Sequence, residues 1–62
     1  MTAPAEDRMR QLRHDLSNPL SAILAETQLL LLRHEELDQE TVTSLKEIEA
    51  LSRRMREILQ QH

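Results

Sequence analysis

Cysteine, glycine and all three aromatic residue types are missing from this 62-residue sequence. Without cysteine, neither a disulfide nor a cysteine-built zinc site can hold the chain together. Without Phe, Trp or Tyr it lacks the rings that dominate most small cores. Without glycine it cannot build the phosphate-cradling loops that depend on that residue. A domain of this size hides only about 60% of its unfolded surface, and a single core below roughly 70 residues rarely supplies more than about 3–5 kcal/mol. The missing stability is expected from a second chain, so dimerisation is predicted before any motif is considered.

Long hydrophobic runs are also absent. The longest, Leu29 to Leu32, is far short of the roughly 20 residues a membrane span needs. The polar start MTAPAEDRMR contains no apolar segment of a secretory signal, so a cytoplasmic location is expected, although the parent protein could be membrane-anchored. A helix lying on a membrane surface would carry Lys and Arg along its polar face and aromatic anchors. Neither pattern is present, and no direct membrane contact is expected. Eight Lys and Arg against eleven Asp and Glu give a net charge of −3, which argues against nucleic acid as a partner, because that affinity comes mainly from clustered basic residues on phosphates. The charges are nevertheless sorted. Arg8, Arg10 and Arg13 lie near one end and Arg53, Arg54 and Arg56 near the other, while Glu35, Glu36, Asp38, Glu40, Glu47 and Glu49 crowd the stretch between. Folding the chain at its middle would bring both basic groups together.

What the sequence does contain is Leu, Glu, Arg, Gln and Ala in abundance, all strong helix formers. Met9, Leu12, Leu16, Leu20, Ile23, Thr27 and Leu30 recur at spacings of three and four, one face of a helix from about Glu6 to Arg33. Leu45, Ile48, Leu51, Met55 and Ile58 do the same for a second helix from about Gln39 to Gln61. Between them HEELDQE has little apolar content and offers Asp38 as an N-cap, with Glu40 in the first turn where negative charge suits the helix dipole. The fold class is therefore all-α: an antiparallel helical hairpin with its turn at about 34–38, two copies of which form a homodimeric four-helix bundle. Residues 1–5 are expected to be a disordered leader and 6–62 the domain.

Amphipathicity does not explain His14–Asp15–Leu16–Ser17–Asn18–Pro19–Leu20. At 100° per residue His14 falls roughly 155° from the centre of the apolar stripe and points to solvent. Asn18, one turn on, shares its face, and Asp15 is close enough to touch the imidazole. The ordinary reading of an exposed helical histidine is a solvated surface residue. Its neighbours favour another. A phosphoacceptor imidazole needs one nitrogen free to attack an in-line phosphoryl group and a base near the other, and Asp15 could supply that base. Asn18–Pro19 has two readings from spacing: an N-cap with proline at the first helical position, or a proline inside a continuous helix. The stripe running back through Leu16, Leu12 and Met9 favours the second. Pro19 then removes the amide that would pair with the Asp15 carbonyl and kinks the helix at a cost of roughly 3 kcal/mol.

HDLSNPL resembles the phosphoacceptor box of sensor histidine kinases, in which His is followed by an acidic residue, an apolar residue, any residue, Thr or Asn, Pro and Leu. The resemblance extends over about Met9 to Leu59, through both helices. It implies that His14 receives a phosphoryl group from ATP through a separate catalytic domain and passes it to an aspartate of a response-regulator receiver domain. It implies further that Asp15 is the general base, that Asn18 positions water for dephosphorylating the partner, and that Pro19 is the family's helix kink. ATP and Mg²⁺ would be held by the catalytic domain or the regulator, with no cofactor or metal in this chain. The family's nucleotide-binding domain, with its Gly-rich box, is absent from these residues, so the chain is not expected to autophosphorylate alone. It is either a piece of a longer kinase or a stand-alone phosphotransfer module.

Along helix one from His14, Ala22, Ala25, Leu29 and Leu32 make a second apolar strip. It could pack on a neighbouring helix, or, with Arg13 above it, dock a response regulator. His34 and His62 are expected to be solvated, and His34 with Glu35 and Glu36 lacks the i, i+4 pairing of a helical metal site. A purely structural dimeric hairpin, serving oligomerisation, accounts for both stripes equally well. It leaves a proline beside an exposed His–Asp pair without a reason.

Overall fold

The computed structural model describes residues 4–61. They form two α-helices, α1 (Ala5–Leu31) and α2 (Gln39–Gln61), joined by a short 3-10 turn at His34–Glu36. No strand occurs among the described residues, as expected of a chain without glycine and rich in helix formers. Residues 1–3 of the expected leader and His62 lie outside the described residues; Pro4 is the N-cap of α1 and Ala5 already belongs to it.

Helix α1 runs unbroken through Pro19, so Asn18 is not an N-cap and the second reading of Asn18–Pro19 is the observed one. It ends at Leu31 rather than about Arg33. The reason lies in its closing bonds. The Leu32 amide is shared between the Gln28 and Leu29 carbonyls at 3.1 and 3.3 Å, and Arg33 N–H reaches Leu30 at 3.0 Å, the tighter spacing of a 3-10 turn. Helices often stop on a left-handed glycine; this chain has no glycine and no positive φ among the described residues, so the helix tightens to its end instead. The turn then carries Glu36 N–H to Arg33 and Leu37 N–H to His34, at 2.9 and 3.2 Å.

Helix α2 starts as the sequence predicts. Asp38 Oδ1 accepts the Thr41 amide at 2.7 Å, and hydrogen bonding from the Thr41 side chain and then its amide holds the carboxyl below the usual aspartate range. Leu37 and Val42, just outside and just inside this cap, are both half-buried, the two positions a hydrophobic staple uses.

The helices lie antiparallel: Gln28 donates to Glu49 at 3.3 Å, while Arg13, His14 and Ser17 line one open recess with Leu59 and Gln60 at the other end. In α1 the only residues not exposed are Arg13, Ser17, Leu20, Leu24, Thr27 and Leu31; in α2 they are Val42, Leu45, Glu49, Ser52, Arg56 and Leu59. Both sets step by alternating threes and fours, a coiled-coil type of seam. This seam rides on one edge of the apolar stripes. Leu20, Thr27 and Leu45 belong to both, but Met9, Leu12, Leu16, Ile23 and Leu30 on α1 and Ile48, Leu51, Met55 and Ile58 on α2 remain 41–64% exposed. The physical reason is geometric, because one neighbouring helix covers only one side of an arc that spans about 100° or more. Among the described apolar residues only Leu20 and Leu24 are buried. Residues 4–12 are exposed throughout, since among the described residues α2 reaches only as far as the segment around His14.

Candidate functional site

His14 stands on the third turn of α1, where its neighbour Arg13 turns toward α2 and the next residue turns away. Its side chain is 72% exposed, and Nδ1 lies 3.8 Å from Oδ1 of Asp15. The same oxygen accepts a hydrogen bond from Gln11 Nε2 at 3.0 Å. Gln11 and Asp15 are one helical turn apart, and helical side chains lean toward the N-terminus, so the carboxylate of Asp15 is drawn over the preceding turn, toward the imidazole. Nε2 of His14 is the ring nitrogen remote from Asp15. Sequence reasoning passed over Gln11, although its i, i−4 relation to Asp15 was the available signal.

Asn18 and Pro19 are exposed one turn further along. Proline has no amide to give the Asp15 carbonyl, which loses its intrahelical partner next to the site. Beside His14 on the α2 side is an open recess lined by Arg13, His14, Ser17, Leu59 and Gln60. On the N-terminal side a second concavity is lined by Asp7, Arg10, Gln11 and His14. Ser17 and Gln60 were not singled out from sequence, because only the register of the two helices shows that residue 60 returns to residue 14.

Ala22, Ala25, Leu29 and Leu32 are all exposed, with Leu29 and Leu32 at 56% and 78%. Within the chain this strip does not pack on α2. Ala25, Gln28, Leu29 and Leu32 line a shallow groove there, roughly opposite the apolar stripe on the helical wheel. His34 has Nδ1 3.2 Å from the Leu31 carbonyl, which ties it to the end of α1. No cluster of three or more His, Cys, Asp or Glu able to hold a metal occurs among the described residues. Nor is any described helix long and apolar enough to cross a membrane.

The family model described as the His Kinase A (phospho-acceptor) domain matches residues 6–61. The chain belongs to this family. The match takes in both helices, the turn and the whole HDLSNPL segment. No curated protein and no solved structure matched the chain. The His Kinase A domain is the phosphoaccepting, dimerisation part of histidine kinases, the transferases of two-component signalling. A helical hairpin with an exposed histidine on its first helix suits that role.

Proposed function

We propose that this His Kinase A domain carries its phosphoryl group on Nε2 of His14 and passes it to an aspartate of a response-regulator receiver domain. The observation that carries this reading is the largely exposed imidazole with its Nδ1 3.8 Å from the Asp15 carboxylate. A neutral ring is the nucleophile, and positive charge develops on it as the N–P bond forms, so a carboxylate near Nδ1 fixes the tautomer and stabilises the product. Asp15 has that part. ATP is delivered by a separate catalytic domain, and Mg²⁺, which neutralises charge during phosphoryl transfer, by that domain or the regulator. Asn18, on the same face, is assigned to hold the water that hydrolyses the regulator's aspartyl phosphate.

The remaining parts of the reading are partner surfaces. Two hairpins associate through Met9, Leu12, Leu16, Ile23, Leu30, Ile48, Leu51, Met55 and Ile58, giving a homodimeric four-helix bundle in which the arcs left open by one chain are closed by the other. The strip of Ala22, Ala25 and Leu29 then faces outward, where small side chains let a regulator's helix approach, and Arg13 at its His14 end attracts the regulator's acidic site. The reactions take place in the cytoplasm, whether or not the parent protein is anchored in a membrane.

Incubation with a histidine-kinase catalytic domain and labelled ATP tests the reading. Acid-labile label is expected on the wild type and none on His14→Gln. A folded dimer that takes no label from several catalytic domains would favour a purely structural hairpin instead.

A further inference from the structure

The recess between the His14 end of α1 and the last turn of α2 has a composition that the phosphoacceptor role alone does not require. Its polar lining consists of Arg13, Ser17 and Gln60 beside the imidazole, with no carboxylate, and Leu59 forms its apolar wall. Arg13 is half-buried at the seam. Arg10, Arg33, Arg53 and Arg54 each pair with a nearby carboxylate, whereas Arg13, like Arg8 and Arg56, has no ion-pair partner among the described residues; of these three only Arg13 lines the recess. A guanidinium, a hydroxyl and a carboxamide can donate several hydrogen bonds to one small tetrahedral anion, and the guanidinium does so with charge assistance.

We propose that this cross-helix recess is a phosphoryl-binding site, in which Arg13, Ser17 and Gln60 hold the oxygens of the group carried by His14. The inference rests on His14 being the phosphoacceptor and deepens that reading. Donors waiting where charge sits in the transition state and product favour transfer without reorganising. They also draw the phosphorylated ring toward α2 and partly cover phosphorus from attacking water. Gln60 makes the site depend on both helices, so it exists only while the end of the hairpin is closed.

Phosphoramidate tests this on the chain as it exists, with no catalytic domain. The lone pair of Nε2 attacks phosphorus, the P–N bond breaks, and ammonia departs with that electron pair; the ring keeps its Nδ1 proton and becomes a phosphorylated imidazolium. Formation and decay of acid-labile phosphohistidine would be followed by ³¹P NMR for wild type, Arg13→Gln, Arg13→Lys, Gln60→Ala and Gln61→Ala, with helicity and melting measured for each. Arg13→Gln is expected to slow formation and shorten the lifetime on the order of tenfold, as losing a charged donor at a developing oxyanion does. Gln60→Ala should shift both in the same direction by a smaller factor, Arg13→Lys should restore part of the loss, and Gln61→Ala should match wild type. Gln60 is exposed, so its truncation tests the site without threatening the fold. Normal labelling of His14 with unchanged rates in Arg13→Gln and Gln60→Ala would overturn the recess alone. Absence of label from wild-type His14 would overturn the phosphoacceptor reading together with it.

Discussion

One carboxylate oxygen of Asp15 stands between two side chains, 3.0 Å from the Gln11 amide and 3.8 Å from Nδ1 of His14. The first contact is a formed hydrogen bond and the second is longer than one, so a small torsional change of the imidazole completes the pair as charge develops on it. Asn18 lies on the same face but touches neither group through any hydrogen bond among the described residues. Its proposed part is in dephosphorylating the regulator. Asn18→Ala is expected to slow removal of phosphate from a phosphorylated receiver domain on the order of tenfold or more, as removal of a water-orienting side chain does, and to affect labelling of His14 much less. The check is to follow both reactions on the same variant; equal losses would mean that Asn18 shapes the helix and not the water. The His14–Asp15 adjacency and its exposure were legible from residue order and the 100° wheel. Gln60 was not, because a contact across 46 positions depends on the length of the turn and the register it imposes.

At the scale of the element, α2 depends on its first residue. Asp38 caps the helix through Thr41, and hydrogen bonding from the Thr41 side chain and amide holds its carboxyl below the usual aspartate range. A depressed folded-state pKa contributes stability that is fully present above the unfolded value and is lost as pH falls through the folded one. Helicity should therefore decline on acidification below about pH 4. Asp38→Asn, which caps as well without titrating, should flatten that decline, and Asp38→Ala should lower the melting temperature at neutral pH by roughly 4–8 °C. Circular dichroism at matched protein concentration measures all three. This cap was readable because Asp before a helical pattern has one common use. The end of α1 was less so: with no glycine to mark it, the change from α-helical to 3-10 bonding at Leu32 leaves no sign in residue types. Continuity through Pro19 was decided by the apolar residues on its N-terminal side, which would have no reason to keep helical spacing in a disordered leader.

For the whole molecule, the exposed arc of nine large apolar side chains is the property that needs a partner. Periodicity placed those residues on apolar faces but did not show which of them meet α2, because that division is set by how the hairpin packs. Burying one Ile side chain contributes about 1.5–3 kcal/mol, and a two-fold interface counts each position twice. Ile23→Asp should accordingly weaken dimerisation by a hundredfold or more, seen as monomer in sedimentation velocity at micromolar concentration. Leu29→Asp, on the outer strip, should leave the dimer intact and reduce binding of the receiver domain. Monomer in the second case and dimer in the first would exchange the roles of the two surfaces.

The seam between α1 and α2 is not uniform along its length. Toward the turn Leu20, Leu24, Leu31, Leu37, Val42 and Leu45 surround the polar positions Thr27 and Glu49; toward His14 the seam positions are Arg13, Ser17, Ser52 and Arg56, with Leu59 alone among them apolar. Cohesion within a protein follows such differences, and the segments with fewest buried apolar contacts open first and at least cost. The hairpin thus behaves as a clasp with a firm hinge and loose tips, and the loose tips hold the histidine. On the proposed reading, helix ends that part and close easily would admit a bulky nucleotide-bearing domain at one moment and a receiver at the next, while the turn keeps the two helices in register.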